Sequence, residues 1–192
     1  MIPLSEFVPA PGTSYTLEGG RLLLQAPPRS DFVVDAFSGA IHGNAAFLYR
    51  EVEGDFVFHA KVSQCFRSTY DAPALMAFES ETRWAKACFE YTDLGSRAVV
   101  SVFTDGRSDD CNGVETERDA IWLQLCRRGG VFAVHYSFGG AVYRMQRIAH
   151  LPLTARLKVG LVAQSPLGEG GTFSFEEVYL AQETKQDLRG GN

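Results

Sequence analysis

The residues best placed to do chemistry lie in Arg83–Tyr91, which reads Arg-Trp-Ala-Lys-Ala-Cys-Phe-Glu-Tyr. Read as a strand, the stretch points Trp84, Lys86, Cys88 and Glu90 one way and Ala85, Ala87, Phe89 and Tyr91 the other. The second set is an ordinary core face. The first combines a large aromatic, a cation and a carboxylate, as sheets that bind ligands often do. Same-face neighbours stand about 6–7 Å apart, so Lys86 and Glu90 are roughly 13 Å apart and cannot pair with each other. Each needs a cross-strand partner, solvent or a ligand. A row about 20 Å long, from an indole to a carboxylate, is long enough for a short glycan stacked on the ring and bonded to the charges. The competing reading is a solvated outer face carrying one exposed tryptophan.

Other chemical signals are weaker. Asp71, in Thr69-Tyr70-Asp71-Ala72-Pro73, has the position of a residue that bonds its own turn, or that projects onto the rim of the same face. Asp105, Asp109, Asp110 and Asn112 supply oxygen atoms in one polar segment, but their spacing is not that of a calcium loop. The four histidines are scattered and no Cys-x-x-Cys occurs, so no metal site is expected. Nucleotide-binding glycine loops and the Gly-x-Ser-x-Gly nucleophile motif are absent, and no cofactor is expected. Glycoside hydrolysis needs two carboxyls facing each other across a bond. The Glu-x-Asp-x-x-Glu pattern that supplies both from one strand is missing. A partner for Glu90 would have to come from elsewhere, for instance Asp71 or Asp109.

These residues must be positioned by strands. Period-two alternation recurs at Phe56–Val62, Ile121–Cys126, Phe132–Ser137, Leu157–Val162 and Phe173–Glu176. Gly129-Gly130 separates two such runs as a hairpin turn, and Gly139-Gly140 is placed to start another. No sustained helical period with caps is present; residues 4–8 and the stretch near Asp187 have room for a single turn each. With 192 residues, 45% hydrophobic and 21% charged, the chain is expected to form one all-β domain over residues 1–182. Ala26–Ser30 reads as a turn, Asp105–Asp119 as a polar loop, and Glu183–Asn192 as a frayed tail.

The formal net charge is −5 and no basic cluster exceeds pairs such as Arg127-Arg128, which argues against nucleic acid as a partner. No apolar run approaches a membrane span, and the first residues do not read as a signal peptide. Cys65, Cys88 and Cys126 fall in expected strands and Cys111 in the polar loop. Reduced thiols and a cytoplasmic location are the expectation.

Taken in order, several segments are similar to a known family. Ser30-Asp31-Phe32 resembles its early Thr-Asp-Phe-Trp element, and Tyr70-Asp71-Ala72-Pro73-Ala74-Leu75-Met76 its Tyr-Asp-Gln-Ala-Gly-Leu-Met segment. Trp84–Tyr91 resembles its Trp-Ile-Lys-Ala-Gly-Ile-Glu-Tyr strand. Ser101–Asp109, Val159-Gly160 and Gln164-Ser165-Pro166 follow later elements. The family is domain of unknown function 1349, which includes a fungal protein described as a regulator of enolase. The resemblance implies a concanavalin A-like jelly-roll β-sandwich of two antiparallel sheets. It also implies that Tyr70, Asp71, Trp84, Lys86, Glu90, Thr104, Ser108, Asp109, Arg147, Gln164 and Ser165 gather around one concave sheet face. Asp110 departs from the pattern, standing where the family tends to have Trp, and Ala72-Pro73 replaces Gln-Ala.

Three functions from different classes follow. The first is a lectin-like module binding a carbohydrate or other small polar ligand. The second is a glycoside-active enzyme using Glu90 with a second carboxylate. The third is an interaction or regulatory module with a protein partner or a homodimer face. Fold alone does not choose among them.

Overall fold

The computed structural model describes residues 3–63 and 66–191, so the expected strand position of Cys65 lies outside the described residues. Two seven-stranded antiparallel sheets pack face to face. In the first, the order is β1 (Val8–Pro9), β6 (Ala46–Glu53), β15 (Arg156–Gln164), β8 (Ala72–Ser80), β9 (Arg83–Tyr91), β10 (Arg97–Asp105) and β11 (Ser108–Glu115). In the second it is β14 (Arg144–His150), β13 (Val131–Ser137), β12 (Ala120–Arg128), β7 (Phe56–Ser63), β16 (Gly171–Ala181), β3 (Arg21–Ala26) and β2 (Ser14–Glu18). A short pair, β4 (Phe32–Val34) and β5 (Ile41–Gly43), stands apart from both. The all-β class expected from the alternation and the two-sheet sandwich implied by the family resemblance are both present, and Gly129-Gly130 turns β12 directly into β13.

Alternation decides where the core lies. Ala85, Ala87 and Phe89 of β9 face inward and meet Phe58, Phe132, Phe173 and Phe175 of the second sheet, all fully buried. Removing such side chains from water contributes about 1.5–3 kcal/mol each, which offsets the conformational entropy lost on ordering the strands. Close packing also constrains the backbone. Gly160 of β15 lies between β6 and β8, and a methyl group there would overlap the Leu48 carbonyl.

The opposite face of the first sheet is covered as well. Trp84, Cys88, Val100 and Val102 join Ala74 and Met76 in a second apolar cluster, capped by Phe32 and Phe47. Phe32 packs edge-on against Phe47 at 5.9 Å and Phe78 at 6.0 Å between ring centroids. The segment carrying β4 and β5 therefore lies over part of this face, leaving the rest open.

Two expectations are corrected. Much of the polar stretch 105–119 is a strand: β11 pairs with β10 from Thr104↔Ser108 to Ala98↔Glu115. Its polar side chains suit an edge strand, where the ladder supplies the order that propensity does not. Nor does the tail fray as far as residue 191. Leu188 packs on Val57, Cys126 and Ala133 of the second sheet. His135 donates from Nε2 to the Leu188 carbonyl (2.7 Å), and Gln124 donates to the Gly191 carbonyl (2.9 Å). Burial lowers the His135 pKa, keeping the ring neutral. Truncation after Gln182 should therefore cost about 1–2 kcal/mol in a urea melt, through lost hydrogen bonds and the exposed apolar strip; an unchanged midpoint would show that the tail adds nothing.

Candidate functional site

A cleft of about 460 Å³ opens on the outward face of the first sheet, beside the β4–β5 cover. Its polar lining is Asp31, Asp35, Tyr70, Lys86, Glu90, Asp93, Asp110, Asn112 and Gln164, with Val33, Val100 and Val102 as apolar floor and wall. Parity explains the set. Lys86 and Glu90 rise from β9, the two valines of the floor from β10, and Asp110 and Asn112 from alternate positions of β11. Register places Lys86 opposite Val102, which in turn faces Asp110.

Lys86 is the buried centre of the site, 2% exposed. Its ammonium donates to Gln164 Oε1 (2.7 Å) and the Phe32 carbonyl (2.8 Å), with Asp31 Oδ1 at 3.5 Å. An ammonium has three N–H donors, so all are engaged within the protein. Desolvation works against the charge, but the surrounding acids, led by Asp31, hold its pKa above the ordinary lysine value. The nitrogen also lies 5.3 Å from the Trp84 ring centroid.

Glu90 is the opposite case. It is 8% exposed, and its carboxyl has no hydrogen-bond partner among the described residues. Burial pushes it up to about 8, opposed by Lys86 and reinforced by Asp31, Asp110 and Asp93. It is therefore mainly protonated at neutral pH, able both to donate and to accept. Asp110 is also raised, first by desolvation.

Tyr70 enters the cleft from a left-handed backbone, φ 70°. Such a conformation costs a bulky residue roughly 1–3 kcal/mol and persists only where neighbours enforce it. They do so here: Tyr70 N–H donates to the Tyr91 carbonyl, and Gln164 donates to the Tyr70 carbonyl. Desolvation and then Asp93, Glu90 and Asp110 raise the phenol pKa, so it remains a donor.

Of the eleven residues expected on this face, Tyr70, Lys86, Glu90 and Gln164 line the cleft. The others are placed differently. Trp84 is only 1% exposed and donates to the Glu81 carbonyl (3.3 Å), so it offers no open ring for stacking. Asp71 is a turn anchor, accepting from the Arg67 and Ser68 N–H groups and from Ser165 Oγ (2.7 Å). Ser165 pairs with Ser30 through the backbone. Thr104 bonds Ser108, whose Oγ accepts from Val34 N–H, fastening β4 to the sheet. Asp109 points to the other side of β11 from Asp110. There it pairs with Arg147 (2.9 Å), which lies over the Phe103 ring at 4.5 Å. This pair ties together the edges of the two sheets and is not on the outward face.

Asp31, Asp35, Asp93, Asp110 and Asn112 complete the cleft. Treating 108–115 as a strand would have revealed Asp110 and Asn112 by their two-residue spacing. Asp31, Asp35 and Asp93 come from irregular segments and carry no such signal. Among the described residues, no three His, Cys, Asp or Glu side chains converge in a way that could hold a metal ion.

Two antiparallel sheets with a polar cleft on one outward face define a concanavalin A-like jelly-roll β-sandwich. The family model described as protein of unknown function (DUF1349) matches residues 8–183, and the chain belongs to that family. Over 162 residues it is 28% identical to "Regulation of enolase protein 1" of Saccharomyces cerevisiae, covering 83% of this chain and 81% of the yeast protein. The crystal structure of a functionally unknown protein from the same yeast matches with a TM-score of 0.88 and 26% identity, covering 96% of this chain and all (100%) of that one. The carbohydrate-binding module CBM66 from Bacillus subtilis shares the fold at a TM-score of 0.61 and 11% identity, covering 92% and 96% of the two chains. A GH43 protein from Bacillus licheniformis matches at a TM-score of 0.68 and 14% identity, over 88% of this chain but 35% of its own. The last two likenesses are of fold alone.

The buried carboxyl has a direct consequence for stability. The unfolded chain ionises Glu90 near 4.5 and the folded protein only near 8, so stability contributed by the neutral form is lost as pH rises between them. Glu90→Gln should therefore raise stability by about 1–3 kcal/mol at pH 8 and by little at pH 4, read from urea melts at both values. Lys86→Met should act the other way, costing about 3 kcal/mol or more by removing the ammonium that Gln164 Oε1, the Phe32 carbonyl and Asp31 share. Equal stability of Lys86→Met and the parent would show that the buried ammonium is dispensable.

Proposed function

We propose that the protein is a lectin-like binding module whose cleft takes a small hydroxyl-rich ligand of the carbohydrate class. The observation that carries this reading is Glu90: nine-tenths buried, without a partner among the described residues, and facing the cleft. Its carboxyl opens into the cleft, so solvent meets it in the free protein and a bound hydroxyl can take that place. Tyr70, Asp93, Asp110 and Asn112 surround it with further donors and acceptors, as recognition of several hydroxyls requires. The fold shared with CBM66 is consistent with this role.

Residue roles divide accordingly. Glu90, Tyr70, Asp110 and Asn112 contact the ligand; Lys86 and Gln164 hold the frame. The apolar surface that sugar rings prefer comes from Tyr70 and from the valines Val33, Val100 and Val102. The engaged Trp84 does not contribute a stacking face. The module needs no cofactor and works in a reducing, cytoplasmic setting; Cys88, Cys111 and Cys126 are free thiols.

A glycoside-active enzyme is the second reading. Glu90 is held protonated, as a general acid must be, and Asp31, Asp93 and Asp110 stand in the same cleft as possible second carboxylates.

A thermal-shift screen against mono- and oligosaccharides tests the proposal, because a ligand that binds only the folded state raises Tm by mass action. The expected hit should weaken at least tenfold in Tyr70→Ala and Glu90→Ala. Its persistence in both variants would move binding away from the cleft. Turnover of the same ligand, abolished by Glu90→Gln, would establish the second reading.

A further inference from the structure

Resting on that reading, we infer that the cleft selects an amino sugar: a hydroxylated ligand carrying a protonated amine, seated against Glu90 with Asp93 and Asp110 beside it. Donors and acceptors in the lining set this preference. Lys86 is the only cationic residue of the lining among the described residues, and its three protons are committed to Gln164, Phe32 and Asp31. It neutralises Asp31 and has no N–H left for a ligand anion. The other acidic residues of the lining are Asp35, Asp93 and Asp110, with Glu90 protonated in the free protein. Arg107 acts on Asp35 and Arg147 on Asp110 from outside the lining, but a phosphate or uronate entering the cleft would still meet carboxylates in the lining itself, whereas an ammonium would meet acceptors on several sides.

A metal ion does not meet the same description. No three metal-ligating side chains converge among the described residues. The acids are spread around the cleft, from the approach to β4, the β9–β10 turn, β9 itself and β11. That spacing suits an extended ligand whose hydroxyls and amine reach separate partners. Glu90, buried and without a partner, marks where the positive group would gain most.

Proton exchange would accompany binding. The charged and titratable groups acting on Glu90 are Lys86 on its own strand, Asp31 from the covering segment, Asp110 from β11 and Asp93 from the adjoining turn. Lys86 already favours the carboxylate but does not outweigh burial and the three acids. An ammonium in contact would tip the balance. Glu90 then gives up its proton to solvent, the free protein's neutral carboxyl becoming a carboxylate ion-paired with the ligand amine.

The test is isothermal titration calorimetry of the full chain with glucosamine, galactosamine and mannosamine. Each is compared with its parent hexose and the corresponding uronic acid, at pH 6.5, in two buffers of different ionisation enthalpy. The inference expects at least one amino sugar to bind tenfold or more tightly than its parent hexose, and the uronic acid to bind more weakly still. It also expects release of close to one proton per ligand. Glu90→Gln, with its fold checked by circular dichroism, should lose tenfold in affinity and release no proton. A hexose binding as tightly as its amine, or a uronic acid binding better, overturns the inference while sustaining the carbohydrate reading. Amine binding without proton release, or undiminished in Glu90→Gln, overturns the placement at Glu90. No binding by any member of the panel overturns both.

Discussion

The site depends on one buried ammonium. Lys86 joins three parts of the chain that are far apart in sequence: β9, the start of β4 through the Phe32 carbonyl, and the end of β15 through Gln164. A short two-stranded pair cannot be stable by itself. It is held over the sheet by this cation, by the Ser108 hydroxyl on Val34 and by the Phe32–Phe47–Phe78 ring cluster. Without the cover, the face would be a shallow surface with no wall. The ion pair to Asp31 is thus less a source of stability than a means of specifying where the cover sits.

The same arrangement separates structure from recognition within one strand. Trp84, Lys86 and Cys88 are absorbed into packing and pairing, and Glu90 alone on that strand is left without a partner among the described residues. Two residues four apart, one basic and one acidic, both buried, consequently have opposite roles. Burial acts on both, but only Lys86 has oxygen atoms arranged about it. The strained backbone of Tyr70 adds to the contrast. Its backbone is held by the bond that its N–H donates to the Tyr91 carbonyl and the one that its carbonyl accepts from Gln164, so the residue is placed before a ligand arrives.

Much of this was legible in the chain. Two-residue alternation located the long strands, because a strand between two packed layers must segregate its side chains by parity. It also picked out the outward face of β9 correctly. It did not distinguish a side chain that faces a ligand from one covered by another segment, and Trp84 fell on the wrong side of that distinction. The cover consists of two three-residue strands and irregular turns, too short for any period to register. Arg147 and Asp109 share a different failure: similarity to relatives conveyed which residues recur but not which face they occupy, and one residue of register separates Asp109 from Asp110. Tail docking through His135 and Leu188 depends on contacts across 53 positions of sequence, which no local pattern encodes.

The contact between Arg147 and Asp109 also bears on how copies of the molecule behave toward one another. β11 and β14 are the outermost strands on one side of the two sheets, and the outermost strand of a sheet presents backbone groups that can pair with a foreign strand. Arg147 spans from one of these strands to the other, donating to both the carbonyl and carboxylate of Asp109, and Gln146 donates to the Cys111 carbonyl next along. Edge carbonyls of β11 are thereby capped from within, and the carboxylates of Asp109 and Asp110 lie along the same rim. A second copy approaching β11 would meet occupied acceptors at Asp109 and Cys111, which disfavours sheet extension along that stretch of the edge.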